Sequence, residues 1–556
     1  MVSVQEAKGM GALSRRSAVT SVAAVAVCVW GAGMLTACSS YSDDCWERLE
    51  CPPDPEPPPG PCEGHPATAP ALDNCGVFVS PLSGDDRSPG TKDAPVKTLQ
   101  HAIGLAARGR GDSEKPTGRV YACSGLFEEK ITLPSGVDLW GGRRCDDGDW
   151  SYQGSFGGPD HPTIIAPPRE IPLRVLGVED TALAGDNATS VIAGVRIVAA
   201  DASAPDGKSS IAMILSTGAR VIVSDSKIIA GDGKDGEPGG DAFSVRAMAG
   251  VLGNNGANAC TADATVGALP VVTMCEDGIE STGGQGGDGG LDVGGDGAPG
   301  QPALGGNSER DGRGGLGADL TRCSDGNDGA DGADGGRAGG AFGPGFLSED
   351  GWIGVRGEDG KKGGVGQGGG GGGGSKSRGP MFACPTSRPE RGAAGGSGGS
   401  GGCGGKGGGG GGYGGASIGI IALEGTDLTV ADTDVFTGKG GNGGVGGTGQ
   451  PGGIGQRGGY GGQGFGPNGM WEACRGGSGG AGGRGGDAGG GLGGASVGIA
   501  YVVPNFAIRP GTTIVPGDAG SGGPAGNAGA EDEIGNGKTG PQGPLYAFPA
   551  ASEPIH

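Results

Sequence analysis

Three stretches far apart in the chain carry the same alternation of apolar with small or polar positions. Residues 210–231 (SIAMILSTGARVIVSDSKIIAG) return without a gap as 417–438 (SIGIIALEGTDLTVADTDVFTG), and more faintly as 496–517 (SVGIAYVVPNFAIRPGTTIVPG). In each copy β-branched runs flank a short turn, and a glycine-rich tract begins where the copy ends. Side chains alternate faces along a strand, so the pattern predicts short strands. Such a unit cannot bury its own apolar face, so the copies are expected to lie side by side as rungs of a stack.

Earlier runs at 77–80, 120–123, 128–133, 135–142, 163–166, 173–176 and 191–199 predict further strands. Ile197-Val198-Ala199-Ala200-Asp201 recurs as Ile228-Ile229-Ala230-Gly231-Asp232, a spacing that suits one coil. Near the start, Leu99, Ile103 and Ala106 or Ala107 fall on one helical face, fit to cover the open end of a stack.

Composition changes the picture. Glycine supplies 138 of 556 residues, proline 38, and aromatics only 4%. That argues against one large packed core. From 439 to 465 glycine stands at every third position, Gly440 through Gly464, and usually at the next position too. Residues 394–411 and 475–486 keep this period. Collagen shares it but leans on imino acids, and Pro451 is nearly alone here. Two readings stay open: flexible linker, or packed threefold helices of the polyglycine-II kind. Sustained phase favours order, because disorder requires none. The more mixed stretch 233–415 carries Cys260, Cys275, Cys323, Cys384 and Cys403, which could staple it. Cys260 and Cys275 are expected to bracket a compact loop.

Lys8, Arg15 and Arg16 precede an apolar run at 18–35 that ends Leu35-Thr36-Ala37-Cys38. A basic start, an apolar core and small residues at a cut site describe an export signal. The ending resembles the bacterial lipobox, which implies lipidation of Cys38, cleavage before it and a membrane partner through the acyl chains. Ser39 resembles outer-membrane sorting, reached by the general secretory route. Of 14 cysteines, Cys28 would leave with the signal and Cys38 would be acylated. The even remainder predicts disulfides. The proline run between Cys51 and Cys62 predicts an extended polyproline tether.

A second resemblance begins at Val77. Val77-Phe78-Val79-Ser80, Gly84-Asp85, Ser88-Pro89-Gly90-Thr91 and Pro95-Val96-Lys97-Thr98-Leu99-Gln100-His101-Ala102-Ile103 follow in that order. Leu133-Pro134-Ser135-Gly136-Val137-Asp138-Leu139-Trp140-Gly141-Gly142 comes later. This resembles the opening of pectin-lyase-like parallel β-helices on bacterial surfaces, tightly over 77–142 and loosely to 232. The expected fold is therefore all-β: a right-handed parallel β-helix with a short capping helix and glycine-rich insertions. The expected divisions are signal 1–37, tether 38–75, β-helix 76–232, insertion 233–415, rung 416–438, insertion 439–494, rung 495–517 and tail 518–556.

Chemistry is sparser. The family resembled includes pectate lyases and polygalacturonases, which implies clustered carboxylates on adjacent coils. The rungs carry Asp225, Asp432 and Asp434, with Lys227 nearby, but the third copy has Gly511 at the position of Asp225 and Asp432. The hydrolases' Asn-Thr-Asp and Arg-Ile-Lys signatures are missing, so these read as turn residues. Asp232, Asp235 and Glu237 could collect calcium but lack the spacing of the nonapeptide repeat. Asp325, Asp328, Asp331 and Asp334 would form one acidic stripe on a threefold helix. Four histidines and no Cys-x-x-Cys argue against zinc. His65, His101 and His161 look incidental, and no glycine-rich stretch follows a P-loop pattern.

No catalytic, cofactor or metal residue is therefore expected. A net charge of −22 argues against nucleic acid as a partner. The sequence points to a lipid-anchored cell-surface structural or adhesion-type protein, with extracellular polysaccharide or neighbouring surface proteins as partners. The alternatives are a polysaccharide lyase or glycoside hydrolase on a β-helix, and a non-catalytic glycan-binding module. Tyr413, Tyr460, Phe465 and Trp471 are the late aromatics such a module would use.

Overall fold

The computed structural model describes residues 60–109, 117–146, 148–154, 162–177, 188–203, 209–303, 311–379, 384–466, 469–503, 505–527 and 533–549. Three sheets of parallel strands carry the architecture, and the chain visits them in rotation. The first stacks Val77–Val79, Arg119–Cys123, Asp138–Arg144, Ser190–Ala193, Arg220–Ser224, Asp427–Ala431 and Asn505–Ile508 in that order. The second stacks Gly125–Phe127, Thr163–Ile165, Val195–Val198, Lys227–Ile229, Asp434–Phe436 and Thr513–Val515. The third stacks Ile131–Leu133, Leu173–Val175, Ser210–Leu215, Ser417–Ala422, Ser496–Tyr501 and Gln542–Ala547. Among the described residues the protein is thus predominantly β, without a closed barrel, in an order compatible with a β-helix.

The repeated segments are neighbours. Ser210 faces Ser417 and Ser417 faces Ser496; Ile228 faces Val435, and Val435 faces Ile514. The early pair also stacks, with Ile197 opposite Ile228. The third copy does not match without a gap, however. Asp427 faces Asn505, where the ungapped match would put Phe506, and the register recovers at Asp434 and Thr513. One turn is a residue shorter and the next a residue longer, which conserves the faces of both strands.

The interior follows from the alternation. Val120, Leu139, Ile192, Val221, Val223, Leu428 and Val430 join Ile131, Leu173, Met213 and Ile420 in one fully buried cluster. Each such side chain contributes about 1.5–3 kcal/mol by leaving water. The helix Leu99–Arg108 lays Leu99, Ala102, Ile103, Ala106 and Ala107 on this cluster, the expected face. Its first N–H groups are capped from afar: Glu129 accepts from Leu99 and Gln100 at 2.8 and 3.1 Å. Gly194 divides the expected strand 191–199, because the chain turns a corner there at φ 67°.

All three glycine excursions leave from one corner. They start after second-sheet strands ending at Ile229, Phe436 and Val515, and return into third-sheet strands starting at Ser417, Ser496 and Gln542. The strand Gln542–Ala547 lies within the segment 518–556, where the sequence pattern gave no strand. Its Gln-Gly-Pro start hides the alternation.

Candidate functional site

The excursions knit into one lobe whose glycines are bonded at every third residue. Residues 394–415 show the rule. Ser397, Gly398 and Gly399 donate their N–H groups to Asn254, Gly284 and Gly477, three consecutive donors to three different tracts. The same residues accept from elsewhere: Gly357, Gly360, Gly363 and Gly366 donate to the carbonyls of Gly411, Gly408, Gly405 and Gly402. Gly441, Gly444 and Gly447 donate to Gly415, Gly412 and Gly409. A threefold backbone has no sheet plane, so it bonds outward on all sides and packs as a bundle.

Glycine is required here by close approach, not by φ. A Cβ on Gly401, Gly404 or Gly407 would fall well inside 3.0 Å of the carbonyl oxygen of Gly366, Gly363 or Gly360. Between these tracts there is room for backbone and hydrogen bonds only.

The acidic positions singled out above are part of this lattice. Asp325, Asp328, Asp331 and Asp334 do recur along one side of a tract. Their Oδ1 atoms accept from the backbone N–H groups of Arg475, Ser478, Ala481 and Arg484 at 2.6–2.9 Å. The glycine after each Asp then donates back to the carbonyl of that same residue. Each Asp-Gly pair thus closes a two-point clamp on its partner residue. Asp232 and Asp235 do the same to Lys439 and Asn442, and Asn255 to Tyr460, while Asp241 with Ala242 and Asn258 with Ala259 clamp Thr448 and Gln463 likewise. The Thr448 N–H and hydroxyl hold the Asp241 carboxyl below the usual carboxylate range. Glu237 pairs with Lys234 at 3.0 Å. Among the described residues no group of three or more His, Cys, Asp or Glu could hold a metal ion.

Three disulfides tie the tracts: Cys260–Cys384, Cys275–Cys403 and Cys323–Cys474. Stapling is therefore present, but Cys260 and Cys275 do not bracket a common loop, because each reaches across the bundle to a tract more than a hundred residues away. Cys62–Cys75 and Cys123–Cys145 close around the aromatic cluster of Phe78, Tyr121, Trp140 and Trp150.

The rung carboxylates have a backbone cause. Asp225 and Asp432 sit at φ 41° and 43°, and Gly511 beside Asp432 has φ 85°. A corner that needs a left-handed residue takes Asp or Gly and little else. Asp225 also accepts from the Tyr152 hydroxyl at 2.5 Å. Burial and this carboxylate push the Tyr152 hydroxyl far above its ordinary value. Asp434 lies opposite Lys227, whose ammonium sits 4.8 Å from the Phe436 ring. Ser226 and Thr433, next in each corner, are buried and donate to the carbonyls of Ser224 and Ala431.

Of the late aromatics, Tyr460, Phe465 and Trp471 share two neighbouring tracts, joined where Ala473 donates to the Gly462 carbonyl and Gly476 to that of Gly459. Tyr413 packs edge-on against Trp352, while Tyr460, Phe465 and Trp471 lie near Arg475, Arg388 and Lys376 respectively. His65 turns a loop, its Nδ1 accepting from Ala67, and His161 and Cys38 lie outside the described residues. No helix among the described residues is long and apolar enough to cross a membrane.

No protein-family model, curated protein or solved structure matches this chain.

Proposed function

We propose that this is a lipid-anchored cell-surface protein of structural or adhesive role. In this reading the three sheets form a right-handed parallel β-helix, pectin-lyase-like in its opening coils, that holds out a lobe of polyglycine-II-like helices. The supporting observation is that every glycine excursion leaves from one corner and joins one hydrogen-bonded bundle. Such a bundle commits a large share of the chain to surface, with almost no side-chain interior. The rung carboxylates Asp225 and Asp432 hold left-handed corners, and Asp232 and Asp235 accept backbone N–H groups.

Acylation of Cys38 anchors the protein at the outer membrane, and residues 38–75 space it from the surface. Cells expressing the chain and its Cys38→Ser variant are labelled with radioactive palmitate and treated with external protease. The proposal expects labelled, protease-sensitive protein from the native chain and unlabelled protein that keeps its leader from the variant. Equal labelling of both would end the anchoring argument. Cleavage of any member of a polysaccharide panel by the purified protein would favour the enzyme reading.

A further inference from the structure

Two adjoining tracts of the lobe carry an apolar stripe that its packing leaves uncovered. Phe243, Met248 and Leu252 lie on one tract, and Leu269, Val272 and Met274 on the other, each 47–66% exposed. The tracts run side by side in opposite directions. Cys403 donates to the Met248 carbonyl and is bonded to Cys275. Ser400 donates to the Val251 carbonyl and shares a 2.6 Å hydrogen bond with Thr273, and the Asn254 amide reaches the Leu269 carbonyl at 2.9 Å. The six side chains therefore form one surface. Contiguous apolar surface of this kind in a soluble chain marks an interaction site.

Charge selects the occupant. Along 242–275 the only charged residues are Arg246 and Asp263, in a chain of net charge −22. Arg246 donates to the Gly452 carbonyl. At the Met274 end the charges come as pairs, Lys406 with Glu276 at 2.6 Å and Lys362 with Asp277. Two copies of so acidic a chain repel over most approaches. This face is neutral, apolar and edged by both signs, so it can meet itself. Six half-exposed side chains and their neighbours offer on the order of 600–900 Å², close to the ~800 Å² per partner of a standard interface.

We infer that the stripe is the interface of a twofold homodimer, in which each copy lays Phe243–Leu252 across its partner's Leu269–Met274. An isologous contact of this kind buries both stripes at once and sets each Lys–carboxylate end against neutral backbone or its opposite sign. It is independent of the anchoring argument.

The chain from Ser39 onward, which lacks both the apolar run 18–35 and the acylated Cys38 so that neither drives association, is followed by sedimentation equilibrium. A concentration-dependent dimer is expected, strengthened by salt because screening removes repulsion. Leu252→Asp and Met274→Asp each weaken it by about tenfold or more. Both side chains are exposed, so the circular dichroism of the monomer stays unchanged. A monomer up to high micromolar concentration overturns the inference, as does a dimer indifferent to both variants. Binding of a monomeric chain to phosphatidylcholine vesicles, lost in the same variants, also overturns it and assigns the stripe to a lipid surface.

Discussion

Replacing Gly407 by Ala tests the close-approach argument directly. The new methyl group would lie inside 3.0 Å of the Gly360 carbonyl carbon and oxygen. Both are backbone, held on further sides, so no flexible side chain can give way. The tracts must separate, at about 1–3 kcal/mol for overpacking. Separation also strains the bonds from Gly360 to the Gly408 carbonyl and from Gly408 to Gly486, at 2.9 and 3.0 Å. Their net worth is about 1 kcal/mol each. The expected loss is therefore about 3–5 kcal/mol, local to the bundle. Gly240→Ala is the control, since nothing lies within 4 Å of a Cβ there and its φ is ordinary. That change is neutral or slightly stabilising through the unfolded chain. A chain of this size need not unfold in two states, so amide hydrogen exchange by mass spectrometry is the suitable assay. At ~1.4 kcal/mol per tenfold, Gly407→Ala speeds exchange in peptides spanning 357–372 and 400–415 by more than about a hundredfold. Equal protection in the two variants would refute the reasoning.

Three further outcomes follow from the same geometry. Asp331→Ala removes the acceptor for the Ala481 N–H and weakens local protection by about 1 kcal/mol, whereas Asp331→Asn keeps an oxygen there and stays near neutral; exchange at Ala481 distinguishes them. Asp241 is held low by Thr448, and Glu276 and Asp277 by Lys406 and Lys362, so their contribution is fully present above the unfolded values of about 3.9 for Asp and about 4.3 for Glu and is lost as pH falls from there through the lower folded values. The thermal midpoint should stay level from neutral pH down to about 5 and drop below about 4, with a shallower drop in Asp241→Asn. Replacing Cys275 and Cys403 by Ser opens a loop with a sequence separation of 128 and costs about 2–5 kcal/mol, read as new proteolytic nicks within 233–415.

Much of the strand framework was legible because alternation and β-branching are local signals. The pairing of segments near Ser210, Ser417 and Ser496 was legible too, since similar faces bury best against one another. The slip at Asn505 was not, because a turn can lose one residue and the next regain it without disturbing either strand's pattern. The acidic stripe 325–334 could be located from its period. Its role could not, because the groups it satisfies lie 150 residues away.

The sequence by itself determined the faces of the rungs, the capping face of Leu99–Arg108 and the three-residue phase of the glycine tracts. Each depends only on the geometry of one segment. The tertiary structure alone decided that all excursions leave one corner, which tract bonds to which, and how Cys260, Cys275 and Cys323 find partners. Those choices turn on backbone hydrogen bonds between near-identical glycine triplets. A triplet without side chains carries no label that could distinguish one neighbour from another.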